Sequence, residues 1–366
     1  MRSTGSRSTA PRLAERLSSP PPAQRILVIR LGALGDVVRT RFALEGLRAL
    51  YPEARIDWLV EDRAAAGLAG QPGLHEVIVL PRTELRWRHP GHALRALATL
   101  VRRLRERRYD LTLDFHGIFK SALLGFASGS PLRVGYGRGW AREGSQILLT
   151  HRVRAFPTRA SRFARNALLV RYLGGEAPSR PPALALPPAP SVLDGLPEAP
   201  IVLHPGTSPA TRYKRWDPAR YAELAIALER RLGAVSLVSW GPVPGEREVA
   251  EEVVSRAEGA ARLAPALPSL AALLALLQRA RLFVGSDSGP MHLASLAECP
   301  VLGLFGPTDP VENAPFEGVP SALLRHDVGC NPCRKGCPAR SCMAAIEVEE
   351  VLAAALELVA VPQAVD

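Results

Sequence analysis

Short, mainly apolar runs recur along the chain, and between them apolar residues return every three or four positions. In the first half the runs Ile26 to Ile29, Ile56 to Val60, Val77 to Leu80 and Leu111 to Asp114 read as buried strands, with helices over Val38 to Leu50 and His92 to Arg107. The second half repeats the scheme. Strands are predicted at Ile201 to His204, Val235 to Ser239, Leu282 to Gly285 and Val301 to Phe305, and helices at Pro218 to Arg231, Leu270 to Arg279 and Met291 to Ala297. Strands that alternate with helices form parallel sheets, because each helix carries the chain back to the end where the next strand starts. The expected fold class is therefore α/β, with parallel sheets in two domains over 24–176 and 201–345.

Residues 177–200 separate the halves, and their recurrent prolines deny the backbone both helix and ladder hydrogen bonds, so an extended linker is expected. Residues 1–23 are rich in Ser, Thr, Arg and Pro and lack the continuous apolar core of a secretory signal. They read as a disordered basic tail on a cytoplasmic protein.

Composition narrows the function classes. With 47% hydrophobic and 22% charged residues the sequence is that of a soluble globular protein. No apolar run approaches the roughly 18 to 20 residues needed to cross a bilayer, so any membrane association is expected to be peripheral. A net charge of +11 favours polyanionic partners. Much of the excess crowds Arg82 to Arg108, including Arg86, Arg88, Arg95, Arg102, Arg103 and Arg105. That cluster reads either as a solvated helix face or as a surface for an anionic membrane or a phosphorylated substrate. Without an aromatic ladder or a recognition-helix signature, nucleic acid is not an expected partner.

Chemistry-bearing residues follow the strands. After the first strand, Gly32 and Gly35 permit a tight turn into a helix, but the pattern is G-x-x-G-D, without the third glycine of a dinucleotide fingerprint. Glu61, near the end of the second strand, keeps an NAD-dependent oxidoreductase open as an alternative. Asp36 stands at the helix start, either favouring the helix dipole or serving as a base.

In the second half, Gly206, Thr207 and Ser208 follow a strand and precede Lys214 and Arg215, a pattern suited to phosphate. Gly285 to Gly289 precede Pro290 at a helix start, where free N–H groups suit a diphosphate, and His292 lies one turn further on. Thr308 and Asp309 end a further strand in a Gly-Pro-Thr-Asp turn. Three such loops in one domain point to a nucleotide site.

These motifs, in their order, resemble glycosyltransferase family 9, the ADP-heptose:lipopolysaccharide heptosyltransferases. The likeness is carried by R-L-G-A-L-G-D-V, D-F-H-G-I-F-K-S-A-L-L, G-Y-G-R-G-W-A-R-E-G, H-P-G-T with K-R-W, G-S-D-S-G-P-M-H-L-A, F-G-P-T-D-P and a Cys-rich segment. It implies a GT-B architecture, two Rossmann-like domains with parallel sheets facing across a cleft, the donor held by the second domain and the acceptor by the first, and a C-terminal helix within 346–366 returning to the N-terminal domain.

By the same resemblance Asp36 is the catalytic base and Lys214 the phosphate-binding lysine, with Asp287, Ser288 and Gly289 contacting the donor sugar and diphosphate. Gly206, Thr207, Ser208, His292, Thr308 and Asp309 complete the donor set. Gly35, His116, Lys120 and Arg142 are the candidate acceptor residues. The implied reaction is inverting and metal-independent, on a phosphorylated glycolipid acceptor at the cytoplasmic membrane face. A non-catalytic sugar-nucleotide binder, or the same fold with another nucleotide sugar or acceptor, are the alternatives.

Cys330, Cys333, Cys337 and Cys342 read first as reduced structural cysteines, with a tetrahedral zinc site, which their close spacing permits, as the alternative.

Overall fold

A computed structural model describes residues 16–82, 90–154, 159–176, 178, 180–333 and 336–360. The expectations for the tail at 1–15, for Arg86 and Arg88, and for residues 361–366 lie outside the described residues.

Two compact units emerge. The first takes in the described residues up to Leu31, Phe42–Asp62 and Gly73–Pro178; the second takes in Gly32–Arg41, Arg63–Pro72 and the described residues beyond 178. The division near 178 coincides with the start of the proline-rich connector, whose described residues form neither helix nor strand until a 3-10 turn at Ser191–Leu193.

The first unit is one parallel sheet of β1 (Arg25–Ile29), β2 (Arg55–Glu61), β3 (Glu76–Leu80), β4 (Leu111–Asp114), β5 (Leu132–Tyr136) and β6 (His151–Val153), in the order β3-β2-β1-β4-β5-β6. The second is a parallel sheet of β7 (Ile201–His204), β8 (Ser236–Val238), β9 (Ala261–Leu263), β10 (Leu282–Ser286), β11 (Val301–Leu304) and β12 (Ser321–Leu324), ordered β12-β11-β10-β7-β8-β9. Counted from its own first strand, the second sheet has the same 3-2-1-4-5-6 order as the first. Both are Rossmann sheets, in which strand addition reverses between the first and fourth strands and opens a crevice beyond their carboxyl ends.

The helices, in chain order, are α1 (Leu34–Leu50), α2 (Asp62–Ala65), α3 (Pro90–Glu106), α4 (Phe119–Ala127), α5 (Arg162–Leu173), α6 (Pro218–Leu232), α7 (Glu246–Arg256), α8 (Leu270–Arg279), α9 (Gly289–Leu296), α10 (Pro310–Asn313), α11 (Ser341–Ala344) and α12 (Val348–Ala360). The central strands β1, β4, β7 and β10 are buried along their length apart from Arg25, as parallel strands covered on both faces must be. Local chemistry sets the helix ends. Asp217 accepts the Ala219 N–H at 2.9 Å ahead of Pro218, and Gly233, at φ 63°, closes α6.

Three expectations are corrected. The loop after β1 and the first turns of α1, assigned by sequence to the first domain, group with the second unit. Gly35 permits this, since a Cβ there would lie 3.0 Å from His292 Cδ2 and 3.5 Å from Gly289 Cα. The described C-terminal helix belongs to the second unit, where Val351, Ala355 and Leu358 of α12 pack with Ile201, Tyr221, Val284 and Leu302. Finally, β5, β6, β9 and β12 were missed. Three of these are sheet edges of three or four residues, too short and too exposed to write an apolar run.

Candidate active site

The crevice of the second unit lies beyond β7 and β10, and both strands end in the loops that carry the candidate chemistry. The turn Pro209–Lys214 brings Lys214 Nζ to 2.8 Å from Asp287 Oδ2 and 3.4 Å from the Asp287 carbonyl oxygen. Asp287 is buried just before α9, whose first residues are Gly289 and Pro290. Burial alone would raise its carboxyl pKa. His292, Lys214 and Arg39 together more than offset that and hold it below the usual carboxylate range.

His292, on the first turn of α9, is buried with Nε2 3.6 Å from Asp287 Oδ1. Burial first, and the Arg39 charge second, push its pKa down to about 4, so the ring is neutral at pH 7. The hydroxyls of Ser288 and Thr308 are enclosed and meet no hydrogen-bond partner among the described residues. Free amides at the α9 start, an ammonium and two uncommitted hydroxyls make a site for an anion with several oxygens.

Asp36 belongs to this same unit. It lies in the first turn of α1, and its carboxylate pairs with Arg39 one turn on. Arg39, itself buried, also donates from Nη1 to Asn313 Oδ1 at 3.2 Å, and Asn313 Nδ2 donates to the Asp309 carbonyl at 3.1 Å. Asp309 caps α10 by accepting the Val311 N–H at 2.9 Å. An acidic side chain at a helix start is thus tied to the turn carrying Thr308 and Asp309.

Two residues take places other than expected. Thr207 is 2% exposed; its hydroxyl donates to the Thr211 carbonyl at 3.0 Å and accepts from Arg215 Nε at 3.2 Å. It therefore holds the loop instead of offering a free hydroxyl, while the exposed Ser208 exchanges a 2.9 Å hydrogen bond with Thr211. Sequence reading also missed Glu246. This buried acid begins α7, accepts the Gly241 N–H at 2.9 Å, and fills the space beside Gly206, where a Cβ would lie 3.0 Å from its Cδ. Burial raises its pKa against the Gly241 N–H and Arg215. The available signal was an acid after the second strand of a Rossmann unit, where ribose-binding carboxylates lie.

In the first unit the candidates gather beyond β4. Asp114, buried, accepts from the N–H groups of His116 at 2.9 Å and Gly117 at 3.1 Å and from the Ser121 hydroxyl at 2.9 Å. Burial outweighs these bonds and raises its pKa to about 6. The turn places His116 Nδ1 to accept the Leu31 N–H at 3.3 Å. Arg142 donates its N–H to the Gly117 carbonyl at 2.8 Å and leaves its side chain exposed. Lys120 Nζ donates to Glu61 Oε1 at 2.9 Å, and Arg82 lies 3.5 Å from Glu61 Oε2. Two cations thus occupy the carboxylate that the oxidoreductase alternative requires for a ribose.

Among the described residues, the group with metal-ligand spacing is Asp57, His75 and Glu76. Arg103 and Arg107 already neutralise Glu76, and Tyr109 donates to Asp57 at 2.7 Å, so a cation would displace existing partners. The four cysteines of the 330–342 segment are free: Cys342 is buried, which raises its thiol pKa, while Cys330 and Cys337 are exposed. No three of their sulfurs lie in ligand reach of one another among the described residues.

Glycosyltransferase family 9 (heptosyltransferase) matches residues 97–342. The chain belongs to this family. Lipopolysaccharide heptosyltransferase 1 of Pseudomonas aeruginosa is 35% identical over 85% of this chain and 86% of its own length. Among solved structures, a family 9 glycosyl transferase from Veillonella parvula aligns with a TM-score of 0.76 at 22% identity, over 92% of this chain and 97% of that one. The E. coli heptosyltransferase WaaC with ADP aligns at 0.69 and 22% identity, over 91% and 99%. The architecture is GT-B, and the family 9 chain is a glycosyltransferase. Among its described residues no helix is long and apolar enough to cross a membrane.

Proposed function

We propose that this family 9 glycosyltransferase moves a heptose from ADP-heptose to the phosphorylated inner core of lipopolysaccharide, with inversion in one displacement. The observation that carries the reading is the Lys214–Asp287 pair at the head of α9, in the same unit as the Asp36–Arg39 pair. The acceptor hydroxyl oxygen attacks the anomeric carbon while its proton passes to the Asp36 carboxylate. The bond from that carbon to the diphosphate oxygen breaks, and ADP leaves with both bonding electrons.

Lys214, the amides at Ser288 and Gly289, and the Ser288 and Thr308 hydroxyls stabilise the charge that grows on the leaving diphosphate. They supply the positive potential that a divalent cation provides elsewhere, so transfer is expected to survive EDTA. Glu246 accepts from the ribose hydroxyls. His116, Lys120 and Arg142 serve the acceptor. The enzyme works from the cytoplasm, peripheral at the inner face of the membrane, where its basic surface meets anionic lipid; nucleic acid is not a partner.

Purified protein, a panel of nucleotide sugars and a deacylated inner-core acceptor test this. ADP release with ADP-heptose alone, dependent on acceptor, is expected. Turnover confined to a uridine nucleotide sugar, or none with any donor, overturns it.

A further inference from the structure

Of the nine large apolar side chains that stand exposed among the described residues, six lie on three neighbouring elements of the first unit: Leu94 and Leu97 on α3, Phe119, Leu123 and Phe126 on α4, and Ile147 on the 3-10 turn Ser145–Leu148. Helix α4 packs against both of the others. Its three apolar residues follow at i, i+4 and i+7 and so share one face. Loose seating does not explain their exposure. The other face of α4, with Ser121, Ala122, Leu124 and Gly125, is buried, and at Gly125 a Cβ would lie only 3.2 Å from Thr112 Cγ2 and 3.4 Å from Ile29 Cδ1. A helix packed that closely on the sheet presents its outward face as a fixed surface.

The charges around this face have one dominant sign. The Arg133 guanidinium lies 5.3 Å from the Phe126 ring centre, and Arg105 Nε donates to the Ala127 carbonyl at 3.0 Å. On α3, Arg95, Arg102, Arg103 and Arg105 stand against Glu106 alone. Glu106 lies 3.8 Å from Arg102, and Glu143 accepts the Phe119 N–H at 3.2 Å.

We propose that this face seats the enzyme on an anionic bilayer, with Leu94, Leu123, Phe126 and Ile147 entering the interface and Arg95, Arg105 and Arg133 among the lipid phosphates. Apolar side chains ringed by guanidiniums are what an interfacial contact requires, the first for burial and the second for the negative surface potential. A second copy is the poorer occupant, since a two-fold contact through this face would bring the same arginines together. The inference deepens the proposed function by assigning the lipid contact to one face, on the helix that also carries Lys120.

Sedimentation with vesicles of phosphatidylcholine, alone or with phosphatidylglycerol, tests it on the full chain. Binding is expected only with the anionic lipid, and a Leu123→Ser/Phe126→Ser variant is expected to lose at least tenfold in affinity. Val79→Ser, which changes an exposed apolar residue away from the face, should bind as the unaltered protein does. Equal binding to neutral vesicles, or equal binding by the double variant, overturns the assignment. So does a variant that turns a dimer into a monomer with vesicle binding unchanged, which assigns the face to a second copy. Turnover on the deacylated acceptor separates the two readings: vesicle binding without turnover removes the proposed reaction alone, and turnover without vesicle binding removes the docking face alone. Retained turnover by the double variant verifies that it is folded.

Discussion

Arg39 pairs with the carboxylate of Asp36 one turn away on α1, and both side chains are largely enclosed. The further bond from Arg39 to Asn313 fixes the direction from which the guanidinium holds that carboxylate. In Arg39→Met the carboxylate loses this orientation, so kcat in the purified transfer assay should fall by at least about tenfold. An unchanged kcat would show that Arg39 only supports the helix.

Asp36→Asn keeps the size of the side chain and removes its basicity. Transfer should drop below detection in the purified assay, while ADP binding by calorimetry changes little, since Lys214, Asp287 and α9 are untouched. Near-normal turnover would remove Asp36 as the base.

Lys214→Ala should weaken ADP binding by about 10- to 100-fold and slow transfer, as expected for a lost charge-assisted contact worth about 1.5 to 3 kcal/mol. The substitution also leaves Asp287 buried without its ammonium partner, so thermal stability should fall as well. Measuring ADP affinity at a temperature where the variant is folded separates the two effects. Unchanged affinity and rate would take Lys214 out of the site.

The sequence and the structure agree most closely where strands are buried on both faces. Leu111–Asp114 and Ile201–His204 match the expected bounds residue for residue, because a central parallel strand is buried on both faces and therefore mainly apolar. Asp36, Lys214 and Asp287 were legible because each follows a strand in a glycine-bearing loop or begins a helix. Arg39, Asn313 and Glu246 were not. The Arg39–Asn313 bond joins positions 274 residues apart, and the place of Glu246 depends on the absence of side chains at Gly206 and Gly241. The resemblance implies a last helix within 346–366 that returns to the N-terminal domain, whereas the apolar face of α12 joins the second core.

Two buried histidines should each cost stability between pH 6.5 and 4. His204 and His292 are buried, and burial is the first cause that lowers each from 6.5 to about 4. Over that window the unfolded chain takes up protons that the folded chain refuses, so acidification favours unfolding by up to about 1.4 kcal/mol per pH unit for each histidine. Asp114 works in the opposite sense. Raised by burial to about 6, its contribution is fully present below the unfolded value of 3.8 and is lost as pH rises through 6. Glu246, also raised by burial, works in the same sense as Asp114, so two acids oppose two histidines and the histidine effect is read as a difference. Between pH 6.5 and 4 the urea midpoint of His204→Gln should rise relative to that of the unaltered protein; a relative fall would contradict the assignment.

Gly35 faces a steric limit that no cap or dipole argument contains. A Cβ there would sit 3.0 Å from the His292 ring and 3.5 Å from the Gly289 backbone, so a larger side chain cannot fit without displacing the start of α1 or of α9. Those two helix starts carry Asp36 and the amides assigned to the leaving diphosphate. Gly35→Val should therefore lower kcat by at least about 100-fold, the scale on which a displacement of about 1 Å degrades an oriented reaction. It should also weaken ADP binding, through α9, which Asp36→Asn should not. A Gly35→Val protein with normal ADP affinity and normal turnover would mean that the approach of α1 to α9 is dispensable for catalysis.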